Sequence, residues 1–413
     1  MKNPLRIVLL ILAGEATFLL PFVLARVFRP TFLSVFQLNN TQLGSCYSVY
    51  GFVALASYLF GGTLADRIAP GKLMATALLL TAAGGFFMAT IPNVYALRWL
   101  YAYWGFTTVF LFWSAMIKAT RAWGGVSAQG KAFGFLEGGR GFIAASLGAL
   151  GVVLFARILP NEIETISIFK RKEAFQFVIL SAAIFCVSIA LLLFFFFKDF
   201  EIKETIPKKR MGSWEDIQTA LRLRSVRYLM LIVLSAYIGY KVTDVFSLYA
   251  AEVMLFGEVE AAKVGSYQMY LRPFICVFVG VFADRTTNAS VLQYSFLFMF
   301  TGALLFASGW VTAPSVGLFL LTLLITAVGT YSLRAVYFAA MEEGKIPFTI
   351  TGTAVGLISL VGYTPDIFVG PIMGVLLDGS EGLRGHQQLF LFLAFFSLIG
   401  LWASYRFRKI NLI

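Results

Sequence analysis

Charged residues inside long apolar runs are the residues of this sequence that could do chemistry, and Arg272 is the first of them. It precedes the pair Asp284-Arg285, which is typical of a membrane boundary, by about 18 Å at 1.5 Å per helical residue. That depth is close to the middle of a hydrocarbon core about 30 Å thick. A guanidinium keeps its charge there, so it needs a carboxylate, a water-filled cavity or an anionic ligand. Arg272 is therefore a candidate ligand for an anionic substrate.

Two pairs of opposite charges lie at i,i+3 spacing within other apolar runs. Glu137 is followed by Arg140, and Lys241 is followed by Asp244. Residues three apart share one helix face, so each pair can neutralise itself inside a helix bundle. Alternatively, substrate or a proton opens the pair, which makes the cations substrate ligands and the carboxylates coupling sites.

Two more carboxylates lie at depth without an oppositely charged neighbour in the sequence. Glu15 falls in the middle of the first apolar run, where it either takes up a coupling proton or pairs with an arginine of another helix. Asp366 follows Pro365, which lacks a backbone donor and favours local unwinding beside a cavity. Asp366 is accordingly either a coupling residue or the structural carboxylate of a kinked helix.

Three other polar residues are expected to have structural roles and not to bind substrate. Arg26 is expected to extend its guanidinium toward the outer membrane interface. Arg334 is expected to pair with Glu342 and Glu343 near the inner end of its helix, and His386 to lie in a solvated surface loop.

The elements that must position these residues are membrane-spanning helices. The chain of 413 residues is 59% hydrophobic and only 13% charged, far from the soluble norm. Apolar runs of roughly 20 residues recur along its length, whereas a barrel requires shorter alternating segments. We predict an all-α polytopic protein with twelve transmembrane helices, as two pseudo-symmetric six-helix bundles. The predicted spans are 5–27, 43–64, 73–92, 95–117, 132–157, 174–197, 227–252, 264–283, 290–311, 314–340, 351–378 and 387–406.

The polar segment 198–226 separates six predicted spans from six. We predict an N-terminal bundle at 1–197, a cytoplasmic linker with an amphipathic helix at 198–226, and a C-terminal bundle at 227–413. Lys and Arg concentrate in alternate loops, which places both termini in the cytoplasm by the positive-inside rule. That rule accounts for the net charge of +12, so no nucleic-acid partner is inferred.

A short motif occurs once in each half of the sequence. Gly62, Asp66 and Arg67 follow the second span in the spacing G-x-x-x-D-R, and Gly280, Asp284 and Arg285 repeat it 218 residues later. The repeat indicates a duplication. Together with the twelve spans and the basic central segment, it resembles the major facilitator superfamily, although the second copy lacks the Gly-Lys that follows the first.

The resemblance implies two bundles around a central cavity that opens alternately to each side of the membrane. It implies a gating role for Asp66, Arg67, Asp284 and Arg285 at the cytoplasmic helix ends. An arginine followed by proline, before the second motif, is similar to the oxalate/formate exchanger and monocarboxylate transporter branches, in which the equivalent arginine binds a substrate carboxylate.

The expected site combines cations, aromatic walls and carboxylates. Several tyrosines lie on spans that line the cavity in this superfamily, namely Tyr237, Tyr240, Tyr267, Tyr270, Tyr331 and Tyr363. The expected substrate ligands are Arg272, Lys241, Arg140, Tyr240, Tyr270 and Tyr363. The expected proton-coupling carboxylates are Glu15, Asp244, Glu137 and Asp366.

These observations predict a secondary transporter that moves a small organic anion, coupled to protons or to exchange of another anion. The alternatives are a carrier of neutral or zwitterionic solutes such as sugars, a drug exporter, and a transporter-like sensor. No catalytic triad, metal-ligand cluster or nucleotide-binding loop is present, so we expect no enzyme, no metal and no cofactor. A monomer in a bacterial inner membrane is expected.

Overall fold

The computed structural model describes residues 4–124, 129–158, 168–197, 214–346, 351–380 and 382–411. Every regular element among these residues is a helix. In a bilayer this is the expected outcome, because a helix satisfies all of its backbone polar groups within one segment.

The chain divides into two compact units. Unit 1 comprises Met1–Ile202, Asp244–Pro273 and Gly370–Gly374, and unit 2 comprises Lys203–Thr243, Phe274–Val369 and Val375–Ile413. Unit 1 therefore contains pieces of the second half of the sequence. The predicted boundaries at 198 and 226 stay a prediction.

The helices of the first half of the sequence all belong to unit 1. They are α1 Pro4–Phe18, α2 Leu24–Val27, α3 Arg29–Phe36, α4 Asn40–Arg67, α5 Pro70–Met88, α6 Val94–Gly105, α7 Ser114–Gly124, α8 Gln129–Ile158 and α9 Ile168–Phe196. Two π-helical segments, Leu19–Val23 and Phe106–Trp113, connect α1 to α2 and α6 to α7.

The helices of the second half are distributed over both units. They are α10 Trp214–Arg222, α11 Arg224–Val242, α12 Phe246–Glu252, α13 Glu258–Asp284, α14 Asn288–Ala307, α15 Val316–Val336, α16 Ala340–Glu343, α17 Thr351–Gly362, α18 Pro365–Asp378 and α19 Leu383–Asn411. A 3₁₀ turn, Thr243–Val245, joins α11 to α12.

Eleven helices or helix pairs among the described residues are long and apolar enough to cross a membrane. They match eleven of the predicted spans, and α4 occupies the position of the remaining one, 43–64. The predicted fold class, an all-α polytopic membrane protein, is confirmed.

Side-chain caps fix where several helices begin. Asn39 accepts from the backbone N–H of Gln42, whose side chain accepts in return from the backbone N–H of Asn39, and this capping box starts α4. Asn93 caps α6 and Thr287 caps α14, and each does so by accepting one backbone hydrogen bond with its side-chain oxygen.

Three of the charged residues within the spans lie at irregular backbone. Asp244 lies within the 3₁₀ turn, and Arg272 directly precedes Pro273 inside α13. Asp366 lies in the first turn of α18, after the break between Gly362 and Pro365 that the sequence predicted. Freed backbone groups at such points are tolerated where protein or a cavity surrounds them.

Glycines permit close helix packing within each unit. In unit 1, a Cβ on Gly44 would lie 2.3 Å from the carbonyl oxygen of Gly370, and a Cβ on Gly265 would lie 2.9 Å from the Cα of Val27. In unit 2, a Cβ on Gly329 of α15 would lie 2.4 Å from a backbone nitrogen of α14. Because these glycines have no side chain, the neighbouring backbones can approach one another closely.

Candidate functional site

Four charged side chains meet in unit 1 and are called here the four-residue cluster: Glu15, Glu137, Arg140 and Arg272. Arg140 Nη1 donates to Glu137 Oε1 at 2.8 Å, and Arg272 Nη2 donates to Glu137 Oε2 at 2.7 Å. Arg140 Nε lies 3.5 Å from Glu15 Oε2. With two guanidinium groups and two carboxylates, the ionised cluster has no net formal charge.

Arg140 is held on several sides by its neighbours. Its Nε donates to the carbonyl oxygen of Gly14 at 3.2 Å. Its guanidinium carbon lies 5.3 Å from the ring centroid of Phe18 and 5.7 Å from that of Trp113, which are cation–π distances. A Cβ on Gly14 would lie 3.0 Å from Arg140 Cδ, so the glycine leaves room for the side chain. Arg140 is therefore a fixed member of the cluster.

Arg272 reaches the cluster from α13, across Gly141 of α8. A Cβ on Gly141 would lie 3.3 Å from Arg272 Cδ, so the aliphatic part of the arginine passes directly over the glycine. The predicted Glu137/Arg140 pair exists, but Arg272 joins it through the second oxygen of Glu137. A carboxylate on α8 thus contacts both arginines.

A second ion pair in unit 1 connects Arg26 and Asp244. Arg26 Nε lies 2.5 Å from Asp244 Oδ1, and only 6% and 2% of the two side chains are exposed. Ser247 donates to the carbonyl oxygen of Arg26 at 2.8 Å. The prediction that Arg26 extends toward the interface is wrong, because this arginine is buried against a carboxylate from another helix.

The spacing of this pair repeats the spacing of the sequence motif. Arg26 and Asp244 are 218 residues apart, the same offset that separates the two G-x-x-x-D-R copies. The pair thus joins corresponding positions of the first and seventh predicted spans. The duplicated positions carry opposite charges, which allows them to bind each other.

Unit 2 contains a separate group, called here the tyrosine-lined cluster: Tyr237, Tyr240, Lys241, Arg334 and Asp366. Lys241 Nζ lies 3.2 Å from Asp366 Oδ1, and the Tyr237 hydroxyl donates to both oxygens of Asp366 at 3.0 and 3.1 Å. The guanidinium carbon of Arg334 lies 4.1 Å from the ring centroid of Tyr240. Lys241 and Asp244, predicted as one pair, thus each contact a partner on a different helix.

The interpretation of Arg334 as a residue neutralised by Glu343 needs correction. Glu343 accepts hydrogen bonds from the backbone N–H groups of Asn288 and Ala289, and so caps the start of α14. Arg334 lies over the ring of Tyr240. The side chain of Glu342 lies outside the described residues, so the pairing of Arg334 with Glu342 stays a prediction. No signal within α15 could have revealed this contact, because the tyrosine belongs to α11.

The remaining predicted tyrosines have different surroundings. Tyr363 packs edge-on against Tyr237, with ring centroids 4.9 Å apart, and extends the aromatic wall of the tyrosine-lined cluster. Tyr270 donates to Ser146 at 3.4 Å within unit 1. Tyr331 is buried, whereas Tyr267 is exposed.

The predicted gating residues are described only in part. The side chains of Asp66, Arg67 and Asp284 lie outside the described residues, and Arg285 is exposed just after the end of α13. Their gating role stays a prediction.

The prediction for His386 is wrong. Its side chain is fully buried, because α19 begins at Leu383 and includes the histidine in its first turn. Within the described part of the chain, no group of three or more His, Cys, Asp and Glu side chains could hold a metal ion.

Buried, paired charges inside a polytopic helical membrane protein are typical of solute and ion pathways, as in secondary transporters. The sequence profile of the Major Facilitator Superfamily matches residues 8–368. The chain therefore belongs to the Major Facilitator Superfamily, as its sequence motifs predicted, and it is a membrane transporter and not an enzyme.

Similar proteins agree with this assignment. The chain is 26% identical over 382 residues to the inner membrane protein YqcE of Escherichia coli strain K12, covering 90% of this chain and 87% of YqcE. A bacterial homologue of the human lysosomal transporter Spinster, solved in an inward-facing and unoccupied conformation, gives a TM-score of 0.74 at 15% identity, covering 100% and 98% of the two chains.

The nucleoside transporter NupG gives a TM-score of 0.72 at 14% identity, covering 98% of this chain and 100% of NupG. At such identities the two solved structures establish the shared fold alone. This chain is thus an integral membrane protein with relatives in the inner membrane of E. coli.

Proposed function

We propose that this chain is a secondary transporter that moves a small organic anion across an inner membrane by alternating access, with both termini in the cytoplasm. One observation carries the proposal. The tyrosine-lined cluster contains two cations, Lys241 and Arg334, and one carboxylate, Asp366. A guanidinium and an ammonium group thus lie among tyrosines, where they can bind an anionic group.

Charged side chains inside a helix bundle mark substrate and ion pathways. Guanidinium and ammonium groups both bind carboxylates and phosphates. The guanidinium carbon of Arg334 lies over the ring of Tyr240, and the planar N–H donors of a guanidinium match the two oxygens of a carboxylate or phosphate.

The aromatic residues around these charges suit a small organic molecule. Tyr237, Tyr240 and Tyr363 pack against one another through stacked and edge-on contacts. Ligand sites combine such apolar walls with a few polar groups that fix orientation. We therefore assign substrate binding to Lys241, Arg334 and these tyrosines.

The alternative is a carrier of neutral solutes. It is favoured by the pairing of Lys241 with Asp366, which leaves hydrogen-bonding groups but little charge on that side of the site. NupG, a structural neighbour, is by name a nucleoside transporter. Under this alternative, Arg334 is a packing residue on Tyr240 and not a ligand.

A thermal-stability screen of the purified protein separates the two functions. The probes are carboxylic acids, sugar phosphates, sulfonated sugars and inorganic anions, with uncharged sugars and nucleosides as the opposing set. A ligand at a hundred times its Kd stabilises the folded protein by about 2.7 kcal/mol. We expect stabilisation by an organic anion, and stabilisation by uncharged solutes alone would contradict the proposal.

The variant Arg334→Gln sharpens the screen. It removes the guanidinium and keeps a polar side chain, so the anion should no longer raise the Tm of the protein. Arg334→Lys keeps the charge but loses the planar donor group, and should retain part of the effect. Arg98→Gln removes an arginine that contacts Ser45 elsewhere in unit 1, and should respond to the anion as the wild type does.

A further inference from the structure

One surface of unit 2 combines aromatic rings with exposed cations near the C-terminal end of α19. It is called here the aromatic–basic face: Arg224, Tyr228, Trp402, Tyr405, Arg406 and Lys409. We propose that this face binds the headgroup of an anionic phospholipid, while an acyl chain of the same lipid lies along α19. The face lies apart from the tyrosine-lined cluster, since Arg224 and Lys241 lie at opposite ends of α11, roughly 25 Å apart at 1.5 Å per residue.

Contacts between α11 and α19 bring the members of this face together. The rings of Tyr228 and Trp402 meet edge-on, with their centroids 5.7 Å apart. Arg406 Nε donates to the Tyr228 hydroxyl at 3.4 Å, and Lys409 Nζ lies 4.7 Å from the ring centroid of Tyr405. Aromatic rings of two helices thus form one surface with the cations of α19.

The cations of this face are available to an anionic ligand. Arg224 lies one helical turn before Tyr228 on α11, and it is exposed, as are Arg406 and Lys409. Within the described part of the chain, none of these three side chains forms an ion pair with a carboxylate. Tyr and Trp are enriched at the depth of lipid headgroups, so the neighbouring rings place the cations at the level of the lipid phosphates.

An exposed apolar stripe on α19 leads away from these cations. Its members follow one another at intervals of three or four residues and so share one helix face: Leu391, Phe395, Leu398, Trp402 and Tyr405. Lys409 continues the same spacing. Phe395 and Tyr405 are about 15 Å apart at 1.5 Å per residue, which is half of a hydrocarbon core about 30 Å thick. The stripe therefore has the length of an acyl chain of one leaflet.

A phospholipid with a net negative charge fits both parts of this surface. A free anion would contact the cations but leave the stripe uncovered, and an apolar helix would cover the stripe but leave the cations without a counter-charge. The lipid has its phosphate and its acyl chains in the same order along the membrane normal as the cations and the stripe. Its phosphate oxygens can accept hydrogen bonds from the guanidinium of Arg406 and the ammonium group of Lys409.

The test measures tryptophan fluorescence of the purified full-length protein in nanodiscs of phosphatidylcholine. Either phosphatidylglycerol or phosphatidylcholine with brominated acyl chains is added in increasing mole fraction, and bromine quenches a tryptophan that it contacts. The same titration of Trp402→Phe is subtracted, so that the difference reports on Trp402. We expect the anionic lipid to quench Trp402 at a lower mole fraction than the zwitterionic lipid does, because the cations of the aromatic–basic face enrich it beside the ring.

Charge variants of α19 assign the preference to this face. Arg406→Gln combined with Lys409→Gln should reduce the preference for the anionic lipid by roughly fivefold for each charge removed. Lys409→Gln alone leaves the helix packing intact, so it gives a result even if the double variant does not fold. Arg408→Gln is the matched control, because Arg408 is also exposed but donates to Gln293 of α14 at 3.2 Å. This variant should keep the preference of the wild type.

Three results would overturn the proposal. Equal quenching of Trp402 by the two lipids would mean that the face does not select an anionic headgroup. Absence of quenching by either lipid would mean that protein, such as a second copy of this chain, covers the stripe. An equal loss of preference in Arg408→Gln and Lys409→Gln would mean that the positive charge of the helix end acts as a whole. None of these results bears on the anion screen, which involves different residues.

Discussion

The buried pair of Arg26 and Asp244 provides a test of the electrostatic reasoning in unit 1. In Asp244→Asn, the guanidinium of Arg26 stays charged and buried but loses its counter-charge. At 2.5 Å and an effective dielectric constant of about 20, the lost Coulomb attraction is roughly 7 kcal/mol. Desolvation of the carboxylate offsets part of that, and removing one partner of a buried pair typically costs about 3 to 5 kcal/mol.

That cost converts into a measurable shift in Tm. An unfolding entropy of about 2.1 cal/mol/K per residue gives roughly 0.9 kcal/mol/K for a chain of 413 residues. Asp244→Asn should therefore lower the Tm by about 3 to 6 °C in detergent, as measured by intrinsic fluorescence on heating. Replacing both residues, as in Arg26→Leu with Asp244→Leu, should recover most of the loss, because no uncompensated charge remains.

Glu260→Gln provides the control. Glu260 also pairs with a cation, Lys263, but 59% and 37% of these side chains are exposed. Water screens that pair, so its loss should cost at most about 1 kcal/mol and about 1 °C. The reasoning is refuted if Asp244→Asn is no less stable than Glu260→Gln, or if the double leucine variant is less stable than Asp244→Asn.

Two further predictions concern unit 2, and both are measured by thermal unfolding. Gly329→Ala should cost about 1 to 3 kcal/mol, because its Cβ would lie 2.4 Å from the backbone nitrogen of Met299. Gly317→Ala, on the same helix, should not destabilise the protein, since no atom lies within 4 Å of the added Cβ. Glu343→Gln should cost about 1 kcal/mol, because its carboxylate accepts from the backbone N–H of Asn288 at the start of α14. Unchanged stability in Gly329→Ala or Glu343→Gln would contradict the packing or capping argument respectively.

The sequence predicted those features that depend on one helix at a time. Apolar length located the spans, and Pro365 located the break in span eleven beside Asp366. The i,i+3 spacing predicted that Glu137 and Arg140 would bind each other, since both geometry and charge are local. Glu15 and Arg272 were recognised as buried charges because their depth follows from counting residues along a single helix.

Contacts between helices could not be predicted in the same way. Arg26 contacts Asp244, and Arg334 stacks on Tyr240, because of how separate helices pack. The depth of Arg26 in its span, taken alone, predicts a position at the membrane interface. Proximity in the sequence, taken alone, predicts that Arg334 pairs with Glu343. The offset of 218 residues held a signal for the first contact, since corresponding helices of a duplicated protein meet at corresponding positions.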